Sequence, residues 1–295
     1  MDWDLTLDNY DHYNPWIDGD IQINRKIINC EQKNNGDCWL LSALICLYNC
    51  KKGKELFNNA IWENSDGSVS IYFKAIEHEY IIERNEIIKY KQSDVCPLGS
   101  DTIIAIELAI IKFFKDIYYQ KIIINKNAPY FFLQRIDYRY NKINIAKYIY
   151  LLFFDFEKFK TYTNSSPLDG GLSEVVFFLL SGKIPETITN LYNILPYIHE
   201  YELNKETSVL TISFYSIEKT KAPFIFNKDF IFLLYHCYSI IDADNFNLTI
   251  VNPWEQNKKI YWTINLGDLA MYNVKLTYCN LSSESNEKKY IQYVN

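Results

Sequence analysis

Apolar side chains from Trp39 to Tyr48, in WLLSALICLYN, cover nearly every side of a helical wheel. A helix that is apolar all round is buried through most of its length, so a core helix is expected to begin at Asp37 or Cys38. A second helix is expected over Ser100 to Ile117. There SDTIIAIELAIIKFFKDI repeats apolar positions at i, i+3 and i+4, and Ser100 or Asp101 fits the N-cap. Between them, Ser68 to Phe73 and Glu79 to Glu83 alternate or are rich in β-formers and predict a hairpin-like pair. SPLDGGLSEVVFFLLSGK then supplies a Gly-Gly turn, a short apolar helix and a Ser-Gly stop.

Beyond Gly182 the pattern changes. Ile184 to Leu203 reads as helix, whereas Ser208 to Tyr215, Phe230 to Asp242, Asn247 to Val251 and Val274 to Leu281 read as strands. A helix-rich first half followed by a strand-rich second half predicts an α+β protein with two lobes, 1–182 and 183–295. The first 35 or so residues, polar and broken by Asn-Pro and Asp-Gly, read as irregular structure. Residues 118–166 are rich in Tyr, Phe, Ile and Asn and match neither template. There is no internal repeat and no low-complexity linker.

Composition narrows the classes. The net charge is -6 with no run of five or six like charges, so neither a nucleic-acid partner nor a polybasic membrane patch is expected. The apolar stretches Ile103 to Ile111 and Val175 to Leu180 stop well short of the roughly 18 residues of a membrane span. The start, MDWDLTLDNYDHYNPW, has neither a basic nor an apolar leader region, so no classical export signal is expected. Seven cysteines with irregular spacing, four histidines and no C-x-x-C pair argue against zinc. Free thiols in a reducing compartment are the simpler expectation, with a cytoplasmic location; secretion by a non-classical route stays open.

The chemistry concentrates in EQKNNGDCWLLSAL. A free cysteine has a pKa near ~8.5, and the start of a helix favours its thiolate, since unpaired N–H groups and the helix dipole stabilise negative charge. Gly36 would let the backbone turn before Cys38, with Asp37 at the helix start, and Trp39 with the leucines would anchor the helix. Gln32, six residues upstream, offers an amide donor to the oxyanion formed when the sulfur attacks a carbonyl. A thiolate also needs an imidazole. His236 sits in FIFLLYHCYSIIDAD, and Asn252 follows sixteen residues later in TIVNPW. Two antiparallel strands joined by the DADNFN turn would bring them together, the Asn oxygen accepting from one ring nitrogen and leaving the other for sulfur. Trp254 would shield that bond from water, or serve as core.

These segments together resemble the calpain family of papain-like cysteine proteases. The likeness rests on Gln32, Gly36-Asp37-Cys38-Trp39-Leu40-Leu41, His236-Cys237-Tyr238-Ser239 and Asn252-Pro253-Trp254. Asp169-Gly170-Gly171 resembles the family's Gly-Gly segment near the junction of its subdomains. Ile260-Tyr261-Trp262 through Asn280-Leu281 resembles its closing segment of aromatic strand, short helix and last strand. The resemblance implies a papain-like two-lobed fold, with Cys38 as nucleophile on the first lobe and His236 and Asn252 on the sheet of the second. It also implies endoproteolysis of protein or peptide substrates, with Gln32 in the oxyanion hole.

Three features depart from the family. Tyr235 precedes the histidine where Gly is usual, Glu255 stands where Gly is usual, and 118–166 has the look of an insertion. No metal ligands are assigned from the sequence. Calcium as an activator is left open by loops carrying Asp94, Asp101, Asp242 or Asp244, which surface solvation explains equally well. The same triad also serves other papain-fold amide hydrolases and acyltransferases, and a catalytically silent protein-binding module is the reading from another class.

Overall fold

The computed structural model describes residues 30, 32–33, 35–119, 121–124, 150, 152, 158, 168, 170–215, 224–227, 230–254, 261–282 and 291–293. Most of the polar start, most of the suspected insertion, Asp169, Glu255 and Ile260 lie outside them.

Helix α1 (Cys38–Asn49) begins where the pattern predicts and buries every residue from Cys38 to Tyr48. Helix α2 (Lys51–Ala60) follows one residue later and buries only Gly53, Phe57 and Ala60. Its KKGKELFNNA sequence is polar enough to read as loop. Gly53 makes the sharp junction feasible, because a Cβ there would lie 2.0 Å from the Leu47 carbonyl oxygen. Strands β1 (Ile61–Glu63), β2 (Val69–Phe73) and β3 (His78–Ile82) form an antiparallel sheet in that order, which contains the expected hairpin. Helix α3 (Arg84–Tyr90) opens with a reciprocal Glu83–Glu86 cap. Helix α4 (Asp101–Tyr118) starts at Ser100, whose side chain accepts from the Ile103 amide. Helix α5 (Ser173–Ser181) stops at Gly182, in the left-handed region at φ 70°.

The second half is built on one six-stranded antiparallel sheet. Its strands are β5 (Glu186–Ile188), β6 (Ser208–Tyr215), β9 (His236–Ala243), β10 (Asn247–Val251), β11 (Tyr261–Asn265) and β12 (Asn273–Asn280), in the order β11-β10-β9-β6-β12-β5. Helix α6 (Leu191–Leu203) precedes β6. Two small antiparallel pairs complete the strands: β7 (Phe224–Asn227) with β8 (Phe230–Phe232), and β4 (Ile122–Ile124) with β13 (Ile291–Tyr293). The protein is thus α+β, as its sequence predicts.

Two differences from the expected elements have local causes. The strand expected over Phe230 to Asp242 is two strands, because Tyr235 takes φ 59° and its N–H donates to the Phe214 carbonyl, 2.7 Å away. Within the helix expected over Ile184 to Leu203, Glu186–Ile188 instead pairs with β12, and α6 starts only after Asn190, whose side chain accepts from the Tyr192 amide.

Alternation along β6 and β9 divides the core. Val209 and Cys237 join the cluster made by α1, α4 and α5, whereas Leu210, Ile212, Tyr238 and Ile240 join Ile194 and Ile198 of α6. Both faces of these central strands are therefore covered. On the α1 face, polar groups fix the helix along β9. Ser42 Oγ donates to the Cys237 carbonyl (2.8 Å), Ser239 Oγ to the Ser42 carbonyl (2.9 Å), and Asn49 Nδ2 to the Ile241 carbonyl (2.9 Å). Helix and strand run in the same direction. From Cys38 to Asn49 the helix rises about 17 Å, and from His236 to Ile241 the strand also rises about 17 Å. The start of α1 is thereby brought level with the start of β9.

Candidate active site

Cys38 is the first residue of α1 and is 7% exposed. The Asp37 carbonyl caps the helix by accepting from the amides of Leu40 (2.8 Å) and Leu41 (3.1 Å). The chain passes Gly36 without a left-handed backbone there. Among the described glycines only Gly67, Gly170 and Gly182 take positive φ, so the turn before Cys38 does not use a left-handed glycine. The Gly36 carbonyl instead accepts from the Gly170 amide at 2.8 Å. Trp39 completes this junction. Its Nε1 donates to the Leu168 carbonyl at 2.8 Å, and its ring lies so close to Gly171 that a Cβ there would sit 1.8 Å from a ring carbon. The Gly-Gly segment is a close-packed buttress behind Cys38, at a position where only a glycine fits.

His236 opens β9 and Asn252 follows β10; the two strands pair antiparallel with Val251 opposite Ser239. His236 Nε2 and Asn252 Oδ1 are 2.8 Å apart. The Trp254 amide also donates to Asn252 Oδ1 at 3.0 Å, which identifies that atom as the acceptor. Nε2 must then carry the proton, and in a neutral ring Nδ1 keeps its lone pair. Burial pushes the His236 pKa down to about 4, against the Asn252 hydrogen bond that raises it. The imidazole is therefore neutral at pH 7, with Nδ1 basic. The Trp254 ring centroid is 6.1 Å from that of His236, but 48% of the residue is exposed, so it covers the histidine only in part.

Around the sulfur, the backbone N–H groups of Cys237 and Trp39 favour the thiolate, but burial and then the Cys237 thiol push the other way. The Cys38 pKa rises to about 12. A thiolate was expected from the helix start alone; desolvation of a nearly buried sulfur outweighs the helix dipole. Cys38 thus touches the backbone beside His236 and Asn252 is hydrogen-bonded to His236, while no hydrogen bond joins Cys38 Sγ to the imidazole.

Gln32 is tied to the same place from the opposite side. Its backbone N–H donates to the Pro253 carbonyl at 2.8 Å, linking the loop before α1 to the segment that holds Asn252. Its Nε2 donates to the Asn35 carbonyl at 2.5 Å, and an amide nitrogen carries a second hydrogen besides the one in that bond. Ser42, Asn35 and Gly171 hold these pieces together, and sequence patterns gave no sign of the first two.

Three of the four carboxylates weighed for calcium have partners of their own. Asp101 pairs with Arg84 and Lys91, Asp242 pairs with Lys205, and Asp244 accepts from the amides of Phe246 and Asn247. Among the described residues no group of three or more His, Cys, Asp or Glu is arranged to hold a metal ion, no helix is long and apolar enough to cross a membrane, and all seven cysteines are free. A scan of the chain against protein-family models gives no match, and a search of curated proteins gives none either.

Proposed function

We propose that the chain is a cysteine endopeptidase of the calpain type, built on a papain-like two-lobed protease core. The observation that carries this reading is the His236–Asn252 hydrogen bond, made through Nε2, beside a cysteine that opens a buried helix. That bond supports His236 as the base. Nδ1 is the nitrogen left to take a proton, and Asn252 holds the ring in the tautomer the reaction needs.

In the proposed reaction a peptide enters beside Cys38 and the thiol passes its proton to His236 Nδ1. The sulfur attacks the scissile carbonyl, and the oxyanion accepts from Gln32 Nε2. Starting from a neutral pair, proton transfer and attack are coupled, and the distance from Sγ to Nδ1 closes in the substrate complex. Imidazolium then protonates the leaving amine, releasing the first product and an acyl-enzyme thioester. Water, deprotonated by His236, attacks the thioester and frees the second product and the thiol.

Purified chain and a Cys38→Ala variant, incubated with denatured casein in calcium and in chelator, test the reading. Cleavage by the wild type and none by the variant is expected; equal cleavage by both would sink the proposal. Cleavage that persists in chelator removes calcium from the account.

A further inference from the structure

Helix α4 carries a carboxyl group, Glu107, with 0% exposure inside the first apolar core. Its Oε1 accepts from Asn35 Nδ2 at 2.8 Å and from the Tyr90 hydroxyl at 3.0 Å. Its Oε2 and Asn35 Oδ1 are both buried, and no described residue donates to either. These two acceptors belong to the same two side chains that the Nδ2–Oε1 bond already joins. An ionised carboxylate offers only acceptors and satisfies neither atom. A carboxylic acid answers both at once, since its O–H is the missing donor and Asn35 Oδ1 is a ready acceptor.

We propose that Glu107 is the positioning residue of this site, carrying a proton on Oε2 and gripping the Asn35 amide at two points, Nδ2–H to Oε1 and Oε2–H to Oδ1. Its functional consequence rests on the protease reading. The Asn35 carbonyl accepts from Gln32 Nε2, so the acid is one residue removed from the oxyanion donor. Asn35 also lies three residues before Cys38.

The groups around Glu107 favour the neutral form on balance. Burial has the largest effect, and Asp37, from the loop before α1, adds negative charge; together they hold the Glu107 carboxyl well above the usual carboxylate range. The Tyr90 hydroxyl from α3 and the Asn35 amide pull the other way without prevailing. Glu107 and Asp37 also bear on the thiol of Cys96, after α3, and Asp37 on that of Cys30. The cations Lys33 and Lys91 act on Cys96.

The test uses the full chain with Glu107→Gln and Glu107→Leu. Glutamine reproduces the acid's donor and acceptor without a titrating proton; leucine has neither. Above pH 4.5, the ordinary value for this group, an unfolded chain releases the proton that the folded chain keeps. The wild type should therefore lose stability relative to Glu107→Gln as pH rises, by about tenfold in the folding equilibrium per pH unit until the folded group ionises. Parallel pH–stability curves for the two would overturn the proposal.

In peptidase assays Glu107→Leu should lower kcat at least about tenfold, a fraction of the loss from removing an oxyanion donor outright, with KM nearly unchanged. Glu107→Gln should restore most of it. Alkylation of Cys38 by iodoacetamide, which forms no oxyanion, should be nearly equal in all three proteins. If Gln fails to restore kcat, Glu107 does not act as a neutral clamp. If the leucine variant does not fold, the wild-type and glutamine curves decide alone. If the wild type cleaves nothing, the protease reading fails, and the pH–stability comparison still tests the protonated grip.

Discussion

Tyr235 offers a test that needs no assumption about activity. It sits at φ 59°, next to His236, with 70% of its surface exposed. A side chain with a Cβ in the left-handed region costs about 1–2 kcal/mol. Glycine escapes that cost but loses about 0.5–1 kcal/mol through the greater freedom of its unfolded chain. Tyr235→Gly should thus be more stable than Tyr235→Ala by about 0.5–1 kcal/mol, the two variants having lost the same ring. That ring stacks edge-on against Tyr215, with centroids 5.8 Å apart. Mostly exposed, the contact contributes about 0.5 kcal/mol, the low end for aromatic pairs. The expected order of stability is therefore Gly, then Tyr, then Ala. Guanidinium denaturation of the three proteins in parallel, with equal slopes, measures it. An alanine variant as stable as the glycine variant would refute the strain and the left-handed turn it requires.

Three further outcomes follow from the site. With the Cys38 pKa near 12, its alkylation by iodoacetamide should rise about tenfold per pH unit from pH 6 to 10; a plateau above pH 5 would mean a preformed ion pair. Gly171→Ala should destabilise the protein by about 3 kcal/mol or more, since the added carbon meets the Trp39 ring rather than a flexible chain end; a thermal melt within 1 °C of wild type, under about 1 kcal/mol for a chain of this length, would contradict the packing. The depressed His236 pKa gives stability that is complete above pH 6.5 and is lost as pH falls toward 4. That loss is about 3 kcal/mol, and His236→Gln should lack it when denaturation midpoints at pH 7 and pH 4 are compared.

Patterning alone determined a good share of this protein. The apolar run after Cys38, the period of α4 with its serine cap, the hairpin of β2 and β3, and the strands β6 and β10 were legible because each satisfies a local rule of spacing or capping. The α+β class followed from their order, and so did the pairing of β9 with β10 that carries His236 to Asn252. Other features depend on contacts between residues distant in sequence. Polar helix α2 forms because Phe57 and Ala60 are covered by other elements, and Glu186–Ile188 is a strand because β12 offers it an edge. A positive φ at Tyr235 leaves no mark on composition, so one predicted strand became two. The alignment of α1 with β9, the bond from Gln32 to Pro253, the packing of Gly171 on Trp39 and the burial of Glu107 against Asn35 join segments that no periodicity relates. The state of Cys38 belongs with them. Its place at a helix start was readable and argued for a thiolate, but ionisation depends on how much water reaches the sulfur. Only the packed tertiary structure fixes that, and it holds the thiol neutral.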